Sequence, residues 1–526
     1  MSSLLTTRRQ LLKSSAAGFT LAAASTLARP ALATAGRPLI THGIQSGDIA
    51  ANSAVVWSRA DRPSRMMIEI ASTEDFKNAR TVPGPHALRN SDYTAKMVLN
   101  GLESGQDVHY RVHFVSLDDD KATSEPVTGR IRTAPTAKQD ISFVWTGDTA
   151  GQGWGINEAW GGMRGYKTML DHNPDFFINS GDCIYADGPM KAEVELNDGT
   201  VWKNVLIEEK TKVAETLDEF RGNYKYNLMD ANYRAMMAHV PTIAQWDDHE
   251  TVNNWYPNEL LADDRYAVKS VALLSARANQ AFHEFMPTAQ TWAEPGRVYR
   301  KVSYGPLLDV FVIDMRTYRG DNSRNRQEER SAATDFLGRE QLNWLKRELV
   351  NSNATWKVIA SDMPIGIIVR DGKEAFENGA NGDGPALGRE HDIAELLSFM
   401  KAANVQNTVW LTADVHYTAA HYYDPNKAQF QDFNPFWEFV SGPIHAGSFG
   451  PGAMDNTFGP QVKFSKDPAG ERNLPPSAGL QFYGHVQIAG DTGVMTVDLR
   501  DVDNTSLFKV DLQPQRGFGA PSGMTP

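Results

Sequence analysis

The chain has 526 residues, of which 41% are hydrophobic and 22% charged, a composition typical of a globular protein with more than one domain. Its formal net charge of −12 and the lack of a long basic stretch argue against duplex DNA or RNA as the main partner. The single cysteine, Cys183, excludes a disulfide scaffold, a cysteine-rich zinc site and an iron–sulfur cluster within one chain.

The segment 1–35 has the pattern of an export signal. Arg8 and Arg9 precede an alanine-rich apolar stretch, 11–27, and an A-x-A cleavage pattern ends before Gly36. The arginine pair resembles the twin-arginine signal, which predicts export by the twin-arginine translocation machinery to the periplasm or outside the cell. A membrane anchor is the alternative. Because the apolar stretch is short and no later segment has about 18 unbroken apolar residues, we expect no stable membrane span.

Residues 36–135 have the pattern of a small β-sandwich. Short alternating runs such as SAVVWSRA, RMMIEIAS and DVHYRVHFVS are separated by turn residues at suitable intervals. Tyr110 stands where such sandwiches often carry a corner tyrosine. A structural role is favoured for this module over a role in binding substrate. The linker TAPTAKQD then leads into a second domain, 136–526.

The pattern changes from Ile141 onward, where apolar runs alternate with helix-like stretches such as GREQLNWLKRELVNS. This alternation predicts an α/β fold, in which ligands gather beyond the carboxyl ends of the strands. Six of the apolar runs end on an aspartate, and one such residue is an ordinary helix cap. Six carboxylates on one rim would repel each other without cations, which predicts a metal cluster. The six aspartates are Asp148, Asp182, Asp248, Asp314, Asp362 and Asp414.

Two further motifs indicate which metals and which chemistry. In GDCIY, Tyr185 follows Asp182 closely, and a trivalent ion such as Fe³⁺ can hold a phenol deprotonated although its free pKa is about 10. A packed aromatic is the alternative interpretation of Tyr185. In WDDHETVNNW, His249 lies beside Asp248, where it can protonate a leaving oxygen, and Asn253 is a candidate for binding substrate.

These motifs together resemble those of the calcineurin-like metallophosphoesterases. In chain order they are GD at 147–148, GDCIY at 181–185, WDDHE at 246–250 and ADVH at 413–416, and GDCIY matches the GDxxY motif of the purple acid phosphatases. HGIQSGDIAANSAVVWSRA, VIDMRTYRGD and WEFVSGPIHAG resemble the secreted PhoD-type alkaline phosphatases more closely, from about Thr41 to the region of Leu512. The resemblance implies a four-layer α/β sandwich that follows a fibronectin III- or immunoglobulin-like β-sandwich.

The resemblance also implies a site that holds Fe³⁺ and one or two Ca²⁺ ions, with other divalent metals possible. The implied iron ligands are Asp148, Asp182, Tyr185 and His416, and the implied calcium ligands are Asp182, Asp248 and Asp414. Asp148 departs from the best-known pattern of the family, which has a cysteine there. An oxygen ligand should still bind a metal, although a hard oxygen replaces a soft sulfur at this position.

The predicted function is metal-assisted hydrolysis of a phosphoester, in which a hydroxide held by the metals attacks phosphorus in line. Arg316 is the expected cation for the phosphoryl oxygens, with a structural salt bridge to Asp314 or Asp321 as its alternative, and His249 is the expected acid for the leaving group. The substrate would be a small-molecule, lipid or nucleotide phosphoester. A calcium-stabilised binding protein without activity is one alternative, and a phospholipase D-like phosphodiesterase acting on lipids is another. Exposed apolar loops, with WGINEAWGGM at 154–163 as the candidate, would favour the lipid substrate.

Overall fold

The computed structural model describes residues 36–291 and 293–515, so the predicted export signal lies outside the described residues. Six α-helices occur in this part of the chain: α1 (Arg164–Asp171), α2 (Leu217–Asn227), α3 (Ala231–His239), α4 (Val271–Phe285), α5 (Arg339–Asn351) and α6 (Glu390–Ala402). None of the described helices is both long and apolar enough to cross a membrane.

The strands of the described chain follow each other in two runs. The first run is β1 (Ile40–Gly47), β2 (Ser53–Ala60), β3 (Ser64–Ala71), β4 (Arg80–Ala87), β5 (Thr94–Asn100), β6 (Asp107–Ser116), β7 (Val127–Arg132), β8 (Ile141–Thr146), β9 (Phe176–Ser180), β10 (Glu193–Glu195), β11 (Val201–Lys203) and β12 (Thr242–Gln245). The second run is β13 (Arg300–Ser303), β14 (Leu308–Val312), β15 (Trp356–Ala360), β16 (Arg370–Asp371), β17 (Ala375–Phe376), β18 (Thr408–Thr412), β19 (Thr418–Tyr423), β20 (Phe436–Val440), β21 (Pro460–Lys466), β22 (Phe482–Ile488), β23 (Met495–Asp501) and β24 (Ser506–Leu512).

Two large mixed sheets form the centre of the molecule. The first has the order β24-β23-β22-β8-β9-β12-β1-β2-β5, and its strands β8, β9 and β12 are parallel. The second has the order β13-β14-β15-β18-β20-β19-β21, with β14, β15, β18 and β20 parallel. Parallel strands place their carboxyl ends at one edge of a sheet, so the residues that follow them can share one rim.

The sheets pack face to face, and helices cover their outer faces. Phe143 and Trp145 of β8 pack between the two sheets, whereas Val144 packs with the helices α1 to α4. In β15, Val358 likewise packs between the sheets and Ile359 packs with α5 and α6. This alternation gives the layers helix, sheet, sheet and helix, which confirms the predicted four-layer α/β fold.

The predicted N-terminal β-sandwich is present, but it is continuous with the main fold. Strands β1, β2 and β5 pack against the four-stranded sheet β4-β3-β6-β7, and β1 also pairs in parallel with β12 through Gly47 and Thr242. Tyr110 is not a corner tyrosine bonded to its own module, because its hydroxyl donates to the carbonyl of Ala238 in α3 at 3.2 Å. The domain boundary near residue 135 stays a prediction.

Candidate metal centre

Four of the predicted metal ligands adopt left-handed backbone just beyond the end of a strand. The φ angles are 66° at Asp148 after β8, 49° at Asp182 after β9, and 65° and 60° at Asp414 and His416 after β18. Residues other than glycine rarely adopt this conformation, although aspartate and histidine adopt it more often than most. Such costly backbone persists where the surrounding structure enforces it, and it is concentrated at functional sites.

Asp148, Asp182 and His416 form the first potential metal site, since one ligand atom of each lies within 4.8 Å of the others. The hydroxyl of Tyr185 lies 2.8 Å from Nε2 of His416, so the fourth predicted ligand is also in place. Nδ1 of His416 is bonded to the carbonyl of Gly447, and burial lowers the pKa of His416 to about 4. The ring is therefore neutral and directs Nε2 into the group, as a metal-binding imidazole requires.

A second group contains Asp182, Asp248 and His249, and a third contains Asp247, Asp248 and Asp414. Asp182 belongs to both the first and the second group, so it has the position expected of a carboxylate that bridges two ions. Asp248 connects the second group to the third in the same way. The structure thus brings together all six side chains that the sequence predicted as ligands.

The buried oxygens of this cluster fit a set of cations. Both carboxylate oxygens of Asp148 and one each of Asp247 and Asp248 are buried without a hydrogen-bond partner in the described chain. Burial, followed by repulsion from neighbouring carboxylates, raises the pKa of Asp148, Asp182 and Asp414 well above the usual range. Buried carboxylates without donors are costly unless a cation compensates them, and oxygen donors suit hard ions.

His249 is held by an aspartate that the sequence analysis did not single out. Nδ1 of His249 lies 2.7 Å from Oδ1 of Asp187, and its other nitrogen, Nε2, lies 4.0 Å from Oδ1 of Asp248. Burial opposes the charged ring, but Asp187 and Asp248 outweigh burial and raise the pKa of His249 to about 10. The backbone N–H of Asn253 donates to the other oxygen of Asp187 at 2.8 Å. Asp187 therefore holds the side chain of His249 and the backbone of Asn253 in place.

Arg316, the predicted phosphate-binding cation, lies beneath the carboxylates and is 0% exposed. Its Nε donates to Asp247 at 2.6 Å, and its Nη2 pairs with Glu377. The same nitrogen is 3.9 Å from Asp414. Arg316 thus forms a buried salt-bridge network, although its partners are not the residues considered from the sequence, Asp314 or Asp321.

The two remaining strand-end aspartates do not belong to the three groups. Asp314 accepts hydrogen bonds from the backbone N–H groups of Arg316 and Thr317 and from the hydroxyl of Thr317, so it stabilises a turn. Asp362 is fully buried and faces Arg316 at 3.7 Å.

A cavity of about 560 Å³ lies over the carboxylates. Asp182, Asp248, His249, Asn253 and His416 are among the residues that line it, so the predicted acid and substrate-binding residues reach the same space as the metal groups. Glu377 also lines it and was missed, because the short hairpin β16–β17 that it follows has no recognisable pattern. Arg370 and Arg472 contribute positive charge to the lining.

The stretch 154–163 does not form an exposed apolar loop. Trp154, Ile156 and Met163 are all buried, and Nε1 of Trp154 donates to the side chain of Asn473 at 2.9 Å. The feature that would have favoured a lipid substrate is therefore not found in this stretch.

Comparisons with known proteins show the family of the chain. The model of the PhoD-like phosphatase family matches residues 143–499, and the model of its N-terminal domain matches residues 24–135. Alkaline phosphatase D of Bacillus subtilis (strain 168) is 28% identical over 442 residues, which cover 78% of this chain and 70% of the relative.

Two solved structures share the fold. The structure of PhoD aligns with a TM-score of 0.67 at 21% identity and covers 91% of this chain and 93% of that chain. A purple acid phosphatase from seeds of yellow lupin (Lupinus luteus) aligns with a TM-score of 0.56 at 12% identity and covers 91% of this chain and 74% of that chain. Because the family model spans more than half of the sequence, the chain belongs to the PhoD-like phosphatase family and is a phosphoester hydrolase.

Proposed function

We propose that this protein is an exported, metal-dependent phosphatase or phosphodiesterase. In this proposal Asp148, Asp182, Tyr185 and His416 hold Fe³⁺, whereas Asp182, Asp248 and Asp414 hold Ca²⁺. The observation that carries the proposal is the position of Asp182, which is shared by two groups of buried ligand atoms. The buried phenol of Tyr185 beside His416 supports a trivalent ion, and the carboxylates around Asp248 support a hard divalent ion.

Bound metal ions would lower the pKa of a coordinated water and offset the charge of the phosphoryl group. The side chains of the protein supply the remaining functions. His249 carries a proton at Nε2 on the cavity side, because Asp187 binds Nδ1 and favours the charged ring. It is therefore placed to protonate the leaving oxygen of the ester.

Asn253 and Arg316 receive different roles. Asn253 is exposed at the cavity and has its backbone fixed by Asp187, which supports its proposed contact with substrate. Arg316 is fully buried, so we reassign it from binding phosphate to neutralising Asp247 and Glu377 below the metal groups. That charge compensation lets several carboxylates occupy one small volume.

Export by the twin-arginine route rests on Arg8 and Arg9 with the apolar stretch that follows them. This route carries folded proteins, often with a cofactor already bound, so it would suit a protein that acquires its metals before export. The periplasm or the exterior is accordingly the proposed location.

The proposal is tested by replacing Asp182 with asparagine in the full, metal-loaded chain. Elemental analysis, circular dichroism and hydrolysis of p-nitrophenyl phosphate and bis(p-nitrophenyl) phosphate are measured together. We expect both metals to be lost together and turnover to fall at least 100-fold, with the fold retained. Asp314→Asn is the matched control, because Asp314 also follows a parallel strand but lies outside the metal groups, and it should keep both metals. A folded Asp182→Asn protein with both metals and normal turnover would refute the shared ligand.

A further inference from the structure

One wall of the cavity over the metal centre is not used by the proposed chemistry. It consists of two segments, 367–370 and 449–452, which we call the apolar wall. The N–H of Ile368 donates to the carbonyl of Ala453 at 2.7 Å, and Ile367 forms a bridge with Met454. The N–H of Gly452 donates to the hydroxyl of Tyr417 at 3.2 Å. The wall is therefore built into the fold and held by its own backbone contacts.

The apolar wall has a small hydrophobic core of its own. Ile367, Tyr417, Ala419 and Val440 form a buried cluster separate from the three larger ones, with Val369 and Val415 packed against it. Ile368 and Val369 themselves are only half-buried, so part of their apolar surface faces the cavity. An acidic, metal-binding site has no need of such a surface for its chemistry. Apolar surface beside a polar centre is typical of a subsite for an organic group.

Arg472 lies at the edge of the same wall. Its guanidinium carbon lies 5.4 Å from the ring centre of Phe449, and that ring in turn meets the ring of His416 edge-on at 5.4 Å. The loop that carries Arg472 is anchored on both sides, since the N–H of Ser448 donates to the carbonyl of Leu474 and the N–H of Gly470 donates to that of Gly450. Arg472 is thus an exposed cation stacked on a residue that touches a predicted metal ligand.

The charges around the cavity indicate what Arg472 binds. Within the described residues, Arg472 forms no ion pair and no hydrogen bond, whereas Arg316 is fully buried and forms ion pairs with Asp247 and Glu377. A guanidinium can hold two oxygens of a phosphoryl group at once. Arg370 also lines the cavity, but its guanidinium stacks on the ring of Phe376.

We propose that the apolar wall binds the second organic group of a phosphodiester and that Arg472 binds a non-bridging oxygen of the same phosphate. This inference rests on the proposed hydrolysis and adds the specificity of the site to it. The preferred substrate is therefore a diester whose non-leaving group is apolar or aromatic.

The wall is tested with two esters that share one leaving group, phenyl p-nitrophenyl phosphate and methyl p-nitrophenyl phosphate. We expect kcat/KM of the metal-loaded protein to favour the phenyl ester by roughly 10-fold or more, because more apolar surface is buried. The double substitution Ile368→Ser with Val369→Ser should reduce this preference to roughly threefold or less, with the methyl ester hardly affected. Equal kcat/KM values for the two esters in the unmodified protein would refute the proposed binding role of the apolar wall.

Arg472 is tested with the same pair. Arg472→Met should lower kcat/KM for both esters equally, by roughly 10- to 100-fold, and Arg472→Lys should recover part of the loss. Arg65→Met is the control, because Arg65 is an exposed arginine of the N-terminal sandwich, on β3, and it should leave both rates unchanged. Full activity of Arg472→Met, or an equal loss in Arg370→Met alone, would overturn the assignment of Arg472. If the unmodified, metal-loaded protein hydrolyses neither ester nor p-nitrophenyl phosphate, the proposed function itself fails.

Discussion

Asp187 controls how His249 presents its second ring nitrogen to the cavity. It binds Nδ1 at 2.7 Å, so Asp187→Asn removes the charge that stabilises the protonated ring without removing the hydrogen-bonding group. We expect kcat/KM to fall by about 10- to 100-fold for an alkyl phosphate, whose leaving group needs a proton, and far less for a p-nitrophenyl ester.

The comparison with His249→Gln shows whether Asp187 acts through His249. The loss for His249→Gln should be about 10²- to 10⁴-fold with poor leaving groups. Adding Asp187→Asn to that variant should then change little, because residues that act as one unit are not additive. Equal losses for alkyl and p-nitrophenyl esters, or additive losses in the double variant, would contradict this role of Asp187.

Tyr185 provides a visible signal of the first metal. Burial and the nearby Asp182 raise the pKa of the Tyr185 phenol well above its usual range, so only a strongly acidic ion would hold it deprotonated. The purified protein should show a phenolate-to-iron absorption band in the visible range, and Tyr185→Phe should remove or shift it.

Tyr166→Phe is the control for this measurement, since Tyr166 is equally buried but bonded to Thr149. It should leave the absorption band unchanged. A colourless, iron-free and fully active protein would exclude Fe³⁺ at this position.

The sequence predicts the residues of the centre that follow strands better than those that do not. Asp148, Asp182 and Asp414 can be predicted because a buried apolar run ends just before each of them. Asp187 lies in a loop, and Glu377 follows a two-residue strand, so no periodic pattern marks either one. A sequence also cannot show whether a cation such as Arg316 is buried among carboxylates, because that depends on contacts between distant segments.

At the scale of the elements, Arg389 joins two loops next to the metal centre. It precedes α6, is 1% exposed, and donates to five oxygens at 2.8 to 3.0 Å. The acceptors belong to the segments 320–322 and 376–377, so one side chain connects the loop after β14 to the hairpin β16–β17. The second of these segments contains Glu377, which pairs with Arg316.

Replacing Arg389 with methionine should therefore lower the free energy of unfolding by about 3 kcal/mol or more, because several buried acceptors lose their donor. Urea unfolding followed by circular dichroism measures this change. Arg347→Met on the exposed face of α5 should cost less than about 0.5 kcal/mol. Similar values for the two variants would show that Arg389 does not hold the loops.

The parallel strands of the two large sheets could be predicted, because parallel strands that are covered on both faces are almost continuously apolar. The parallel pairing of β1 with β12 could not be predicted, because it consists of one residue pair, Gly47 with Thr242. At Gly47 an added Cβ would lie 2.4 Å from the carbonyl oxygens of Thr242 and Pro287, so the two segments approach each other only because this residue is glycine. Such a close approach between distant segments leaves no periodic signal in the sequence.

At the scale of the whole molecule, the N-terminal sandwich caps the last turn of α4. Lys96 of β5 donates to the carbonyls of His283 and Met286, Trp57 of β2 donates to that of Glu284, and Gln45 of β1 donates to that of Phe285. The last carbonyls of a helix have no partner within the helix, so here the sandwich supplies their donors. We infer that the sandwich and the catalytic sheets stabilise each other.

This interface also makes the folded state sensitive to acid through His283. The ring is 6% exposed, and its Nε2 is buried without a hydrogen-bond partner in the described chain. Burial lowers the pKa of His283 to about 3, and the positive charges of Lys96 and Arg300 act in the same direction. In the unfolded chain the pKa is the usual value of about 6.5. Between these two values the unfolded state takes up a proton that the folded state does not, so stability is complete above pH 6.5 and decreases as the pH falls toward 3.

The free energy of unfolding should consequently fall by about 2 to 3 kcal/mol more between pH 7.5 and pH 4.5 in the unmodified protein than in His283→Gln, at about 1.4 kcal/mol per pH unit below 6.5. Denaturant unfolding at several pH values measures how the free energy of unfolding of each protein changes with pH. A loss of stability in His283→Gln that is the same at every pH does not alter this slope. His86→Gln, at an exposed histidine of β4, should leave the slope of the unmodified protein unchanged. Parallel slopes for the unmodified protein and His283→Gln would mean that His283 takes up its proton equally in the folded and the unfolded state, and the interface would then have no part in acid unfolding.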